Sequence, residues 1–319
     1  MTNTGSHAHA QAIGLDLGGT KLHAGTTTKD GMSGLQIVEP TDAASEELVL
    51  AQIVSMVEAL RDDRRKASIV LGAPGAVDQT KGTIDLSPNI PFSSGRPIAN
   101  ELSAALGETV LVENDVNLAT LAEARLGAGR GLGIVCFLSF GTGVGAGIVR
   151  DGHIMRGANG RAGEISYLPL GSDPIAAAAR STAGQFEDRV GTNAIRTLYG
   201  RDMPDVRTLF ARADAGDAAA ARAIEATASA AASGLASLQL LLDPDLVVIG
   251  GGIGTQPRFF DRLCEDAAKL LDFPLAVAPA ALGQAAGMLG ALVLAADHAG
   301  LPTVGLDMTP PPHTMTPPA

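Results

Sequence analysis

Two glycine-rich turns constrain this chain more than any other feature. The first reads Asp16-Leu17-Gly18-Gly19-Thr20-Lys21, the second Ser139-Phe140-Gly141-Thr142-Gly143-Val144-Gly145. Each follows a short apolar run (residues 12–15 and 134–138). Each leads into a second strand-like stretch closed by Asp-Gly, at Asp30-Gly31 and Asp151-Gly152. Such a pair predicts two β-hairpins from duplicated halves, each presenting backbone N–H groups able to hold phosphate. Glycine suits this role because a residue without Cβ lets main chain approach a polyphosphate closely. Asp16 beside the first turn would repel phosphate unless a cation lay between them, which points to a Mg²⁺-nucleotide. Either turn alone reads equally well as a plain hairpin connection; both together, in matching halves, favour phosphate. Neither is a Walker loop, and neither fits Gly-x-Gly-x-x-Gly opening a helix.

With 319 residues, 46% hydrophobic and 18% charged, the chain has room for two domains with a substantial core. Aromatics are only 3% and Trp is absent, so a sugar site here leans on hydrogen bonds more than on an aromatic platform. A net charge of −11 argues against sequence-independent nucleic-acid binding, which needs a basic surface. The leader, residues 1–11, reads as a frayed terminus with neither a helix-turn-helix arm nor an apolar signal core. No stretch reaches the apolar length of a membrane helix; the nearest, residues 226–242, is Ala- and Ser-rich and reads as a packed helix. Cys136 and Cys264 sit in apolar runs and read as buried free thiols. Such sparse usage suits a reducing cytoplasm and leaves no cysteine-based zinc site.

Along the chain, strands are predicted at 12–17, 22–27 and 35–39, then a helix over 45–66 with apolar Leu48, Ile53, Val57 and Leu60. A strand at 67–72 ends in Ala73-Pro74-Gly75, and 83–97 reads as a long loop. A strand at 110–113 ends in Asn114-Asp115, before a helix over 116–126. The second half repeats the opening at 133–140 and 145–150. A helix over 215–242, a strand at 246–249 ending in Gly250-Gly251-Gly252, and a helix over 285–296 complete it. Strands alternating with helices give an α/β class. The Pro- and Thr-rich tail, 303–319, reads as disordered.

Asn114-Asp115 stands where a strand ends and a helix begins, the edge at which open α/β sheets bind ligands. A carboxylate there can accept the proton of a sugar hydroxyl attacking a γ-phosphoryl group. Both residue types are also ordinary helix N-caps, and the two roles are compatible. Glu164, ending the loop at 157–164, and Glu187 are either acceptors for sugar hydroxyls or solvated surface carboxylates. The glycine triplet at 250–252 either lets an adenine ring lie flat on main chain or simply starts a helix.

In this order the motifs Asp16 to Lys21, Ala73-Pro74-Gly75, Glu113-Asn114-Asp115, Phe140 to Gly145, Ala162-Gly163-Glu164 and the Gly250 triplet resemble the ROK family of sugar kinases and sugar-responsive repressors, within the actin-like ATPase superfamily. The likeness runs from about residue 12 to 296. It implies an α/β fold of two ribonuclease-H-like domains flanking a cleft. The expected domains are 12–115, completed by a C-terminal helix at 285–298, and a larger one at 116–284. Asp16, Gly18, Gly19, Thr20 and Lys21 match the first phosphate motif and Gly141, Thr142 and Gly143 the second. Gly250, Gly251 and Gly252 fall in the adenosine motif. Asp115 matches the catalytic base, and Gly75, Asn89, Asn114, Glu164 and Glu187 match sugar contacts.

One departure stands out. Family kinases follow Ala-Gly-Glu with Gly-His and then a cysteine-rich zinc cluster, whereas here Glu164 is followed by Ile165-Ser166-Tyr167 and no Cys occurs over 172–185. Tyr167 thus replaces a zinc- and sugar-binding His. A phenol cannot do the imidazole's metal work, although its hydroxyl can reach a sugar oxygen. The resemblance therefore implies a cytoplasmic ATP- and Mg²⁺-dependent hexose kinase without zinc. Glucose is the first choice of sugar, Asp16 organises Mg²⁺ through water, and the protein is a homodimer. An N-acetylated amino sugar, fructose, or a non-catalytic sugar-sensing role are the alternatives.

Overall fold

A computed structural model of the protein describes residues 10–27, 33–62, 65–79, 81–85, 92–171, 173–200, 202–302 and 313–315. Its described residues divide into two compact units: 10–130 with 152–162 and 284–302, and 131–151 with 163–283 and 313–315.

The first unit runs β1 (Ala10–Leu17), β2 (Lys21–Thr27), β3 (Ser33–Pro40), α1 (Glu46–Leu60), β4 (Lys66–Ala73), the small hairpin β5 (Ala76–Asp78) and β6 (Thr83–Asp85), α2 (Ile98–Leu106), β7 (Val110–Asn114) and α3 (Asp115–Arg125). Its five-stranded sheet has the order β3-β2-β1-β4-β7. β2 and β3 are antiparallel, whereas β1, β4 and β7 are parallel. β1 and β4 are apolar on both faces because both faces are covered. Ile13, Leu15, Leu17, Ile69 and Leu71 pack on α1 and α2. Ala12 and Val70 pack instead on Leu118 of α3 and on Ala291, Ala295 and Ala296 of the C-terminal helix. Side chains alternate along a strand, so Asp16 falls on this second face. The register then lines up Asp16, Gly72 and Glu113 in one row across β1, β4 and β7.

α1 is capped by Ser45, whose side chain accepts from the Leu48 N–H, and it stops at Leu60, short of the predicted 66. The charged run after Leu60 has helical propensity, but Lys66 already belongs to β4. Leu48 is 45% exposed; the buried stripe is Val49, Ile53, Met56, Val57 and Leu60.

The second unit runs β8 (Ile134–Phe140) and β9 (Val144–Arg150), after which β10 (His153–Ile154) belongs to a first-unit segment. There follow α4 (Pro174–Ala178), α5 (Glu187–Val190), α6 (Thr192–Tyr199), α7 (Val206–Asp214), α8 (Ala218–Leu242), β11 (Leu246–Gly250), α9 (Gly251–Gly254), α10 (Pro257–Ala268) and β12 (Leu275–Pro279). The β8–β9 hairpin is antiparallel and continues through parallel β11 and β12, repeating the β2-β1-β4-β7 arrangement. α11 (Ala286–Ala299) falls in the first unit. α3 also stays there rather than opening the second domain at 116. It packs on α11 so closely that a Cβ on Gly290 would lie 1.9 Å from the Leu118 carbonyl oxygen.

Within the 303–319 tail, β13 (His313–Met315) pairs antiparallel with β12, so these three residues form a strand where the sequence reads as disordered. The rest of that tail and residues 1–9 lie outside the described residues. Cys136 and Cys264 are buried and free, and burial pushes both thiols up to about 12.

Candidate active site

In the first unit, the predicted residues collect at the carboxyl ends of the parallel strands. Leu17 pairs with Leu22, and the intervening turn is closed by the Gly18 N–H donating to the Lys21 carbonyl at 2.9 Å. The Thr41 hydroxyl donates to the Gly18 carbonyl at 2.6 Å. Among the described residues the Gly19 and Thr20 N–H groups have no acceptor and remain available for a ligand. Lys21 Nζ donates to Gln284 Oε1 at 3.0 Å, so the lysine is anchored beside α11 rather than loose on a strand face.

Asp115 is the first residue of α3, and Asn114 caps that helix. Asn114 Oδ1 accepts from the Asn117 N–H at 3.0 Å, while its amide donates to the Gly75 carbonyl at 2.9 Å. Gly75 has φ +108, a left-handed conformation that favours glycine. The cap reading of Asn114 is therefore realised, and it is what aims Asp115. Burial raises the Asp115 carboxyl above the usual range, against a 2.9 Å hydrogen bond from the Val116 N–H. Asp16 is pushed from 3.8 up to about 7, first by burial, then by the Asp115 carboxylate, with Lys21 opposing. A carboxylate raised by burial and by a second carboxylate beside it marks a place that favours a cation or a proton.

That shift has a sign in stability. Between the unfolded value near 3.8 and the folded value of about 7 the folded chain holds the extra proton, so stability falls as pH rises through that window. Removing the charge with Asp16→Asn should therefore stabilise the metal-free protein by about 2 kcal/mol at pH 8, after discounting for solvent access, and by progressively less towards pH 4. Urea unfolding of both proteins at pH 5 and pH 8 measures this; equal stability at pH 8 would contradict it.

The second unit gathers its own set. Phe140 pairs with Val144 across the three-residue turn, and the Gly141 N–H donates to the Gly143 carbonyl at 2.9 Å. Thr192 braces this turn, its N–H and hydroxyl both reaching the Gly141 carbonyl at 3.1 and 3.0 Å. Thr142 is exposed at the tip. The glycines here answer different demands. A Cβ on Gly143 would lie 2.3 Å from Glu187 Oε2, on Gly250 2.1 Å from the Phe137 ring, and on Gly251 2.2 Å from the Phe140 carbonyl oxygen. Those three are required by packing. Gly141 and Gly252 have nothing within 4 Å of that position, so they leave the open space a ligand needs.

Glu187 is tied to the same turn, Oε2 accepting from the Val144 N–H at 2.9 Å, and partial burial raises its carboxyl. Gly163 has φ +92 and lies against the Ala146 carbonyl, which sets Glu164 partly buried at the start of a 3-10 turn, Ile165–Tyr167. Asn89 lies outside the described residues.

Sequence reasoning quoted Glu113, only 2% exposed, as part of a motif without giving it a role, and missed Gly287, whose Cβ would lie 2.6 Å from the Asp16 carboxyl carbon. The signals were present: a charge inside the apolar run Val110-Leu111-Val112-Glu113, and small residues at i, i+3 in Gly287 and Gly290.

A profile of the ROK family matches residues 12–298. The chain belongs to the ROK family. A glucokinase of Thermotoga maritima is 28% identical over 313 residues, covering 90% of this chain and 98% of its own. An N-acetyl-D-glucosamine kinase of Escherichia coli is 31% identical, covering 88% of this chain and 98% of its own. The structure is similar to that of a ROK family glucokinase from Streptomyces griseus in complex with glucose and AMPPNP, with a TM-score of 0.73 and 26% identity over 90% of this chain and 99% of that one. The fold is accordingly of the actin-like ATPase type.

In this ROK chain the end of the stretch where family kinases carry a zinc cluster, Gly184 to Phe186, is held by packing. The Phe186 N–H donates to the Ser166 carbonyl at 3.0 Å, and Gly184, at φ +107, lies against that same carbonyl. The fully buried Phe186 ring stacks edge-on to Phe140 at 6.4 Å and fills the space left by Gly234. Tyr167 is 53% exposed.

Proposed function

We propose that this ROK chain is an ATP-dependent hexose kinase that transfers the γ-phosphoryl group to a sugar hydroxyl, glucose to glucose 6-phosphate first. The observation that carries the reading is the pair Asp16 and Asp115, two partly buried carboxylates raised by burial at the carboxyl ends of β1 and β7. Asp115 accepts the proton of the attacking 6-hydroxyl, and its raised basicity suits that step. Taking each unit by itself, we assign Asn114, Gly75 and Asn89 in the first and Glu164, Tyr167 and Glu187 in the second as sugar-contacting residues. The N–H groups of Gly19 and Thr20 in the first unit, and of Thr142 and Gly143 in the second, are donors for phosphate oxygens, and Gly252 in the second unit leaves room for the adenosine.

The residues fit a divalent cation: Mg²⁺ typically takes one or two carboxylates together with substrate phosphates and water, and Asp16 supplies one. Held by Asp16 through water, Mg²⁺ would supply positive charge against the phosphate oxygens. The names of the two kinase relatives support phosphoryl transfer to a sugar and leave the C2 substituent as the open choice. Sugar-dependent ADP release, measured with glucose, N-acetylglucosamine, N-acetylmannosamine and fructose, tests the reading. No turnover with any of them, alongside measurable sugar binding, would replace the enzyme with a sensor.

The same reading holds the protein free of zinc, a cytoplasmic homodimer acting on small molecules alone. Purified protein should contain no stoichiometric zinc, and chelators should leave its melting temperature unchanged, since packing of Phe186 and Gly184 holds the end of that segment without a metal. One tightly held zinc per chain by elemental analysis would overturn this. Light scattering reports the dimer. Among the described residues no helix is long and apolar enough to cross a membrane.

A further inference from the structure

We propose that Arg156 is a positioning residue for Asp115, acting through the buried carboxylate of Glu113. The inference rests on the kinase reading above, in which Asp115 is the base. Glu113 stands two residues before Asp115, on the α3–α11 face of β7, with 2% of its surface exposed. A carboxylate so placed must be paired and hydrogen-bonded on both oxygens. Oε2 receives Arg156 Nε at 2.5 Å and Gln79 Nε2 at 3.2 Å. Oε1 receives the Asn114 N–H at 2.9 Å and Asn117 Nδ2 at 3.1 Å.

The second pair of bonds matters most. Asn114 and Asn117 flank Asp115 at the bend from β7 into α3, and one carboxylate oxygen holds them both. Asn117 is itself buried and spends its N–H on Asn114 Oδ1, so the bend is closed into a ring of three side chains. Gln79 is fixed from elsewhere by donating to the Val112 carbonyl at 2.7 Å. Arg156 is the one cation in ion-pair reach of Glu113 among the described residues. Without that charge the buried carboxylate is uncompensated, and its cheapest response is to turn towards water. That turn loosens Oε1 from the bend. Near-attack geometry is sensitive on this scale: a misplacement of about 1 Å can cost on the order of 100-fold in rate.

Kinetics and amide hydrogen exchange of Arg156→Gln, Arg156→Lys and Glu113→Gln test the proposal. Arg156→Gln should lower kcat about 10- to 100-fold while KM for ATP stays within about threefold. The Asn114 amide should exchange at least about tenfold faster, with α11 amides unchanged. Arg156→Lys, which restores the charge, should recover most of both. In the Glu113→Gln background, Arg156→Gln should cost nothing further. A kcat within twofold of wild type, or wild-type exchange at Asn114, overturns the proposal, as does a lowered melting temperature with neither readout moved. If Arg156→Gln does not fold, Glu113→Gln is measured by the same two readouts, and the same outcomes support or overturn the proposal. Absence of phosphoryl transfer by the wild-type protein would sink the kinase reading instead, and exchange at Asn114 would still decide whether Arg156 holds the bend.

Discussion

Asp115→Asn is expected to lower turnover by about 100- to 10,000-fold, the usual range for a lost general base. The substitution is nearly isosteric, and an amide oxygen can still accept from the Val116 N–H as the carboxylate does at 2.9 Å. Asn114 remains the cap of α3, so the helix start is preserved. Removing the Asp115 charge also takes away one of the two causes that raise Asp16. The variant should therefore fold at least as well as wild type and bind sugar within a few-fold of normal. The loss then falls in kcat, as removal of an interaction made only in the transition state requires. Steady-state kinetics with an independent measurement of sugar affinity separates the two. Near-normal turnover would mean that another group takes the proton.

Gly290→Ala should give the largest change in stability. Its Cβ would lie 1.9 Å from the Leu118 carbonyl oxygen and 2.4 Å from the carbonyl carbon. The obstacle is helix backbone, not the end of a flexible side chain, so α11 and α3 would have to part by roughly an ångström or more to restore ordinary contact distances. Overpacking of this kind costs about 1–3 kcal/mol or more, and a forced separation of two buried helices belongs at the upper end. The better helix propensity of alanine returns only about 1 kcal/mol. A net loss of about 2–3 kcal/mol corresponds to a fall in melting temperature of roughly 3–5 °C for a chain this long. Gly141→Ala, with open space at the same position, is the control: its melting temperature should stay put while its KM for ATP rises. An unchanged melting temperature in Gly290→Ala would show that the interhelical contact is softer than these distances imply.

The features behind these two predictions differ in how legible they are. The hairpins at Gly18–Lys21 and Gly141–Gly143 are readable because turn glycines bounded by apolar runs are a local signal. The Asn114-Asp115 bend is readable for a related reason, since a cap and a strand end coincide in sequence. The buried partner of that bend is not. Glu113 is satisfied by Gln79 and Arg156, each tens of residues away, and no local pattern announces such a pairing. The glycine motifs are legible as motifs but not in their causes: Gly143, Gly250 and Gly251 are small because Glu187, Phe137 and Phe140 press on them, whereas Gly141 and Gly252 face open space. Short helices such as α4 to α7 and the β5–β6 hairpin escape because they carry too few turns to show a period. The helix expected over 45–66 overshoots α1 because its charged continuation is helix-compatible and only the start of β4 ends it.

The place of α11 has a consequence for synthesis. Ala12 and Val70 on one face of the first sheet, and Leu118 beside it, are covered by a helix that begins only at Ala286. A nascent chain emerging from the ribosome would carry most of its first sheet long before the piece that shields it. The half translated first is thus completed near the end, and meanwhile its uncovered strand face is a natural client for a chaperone.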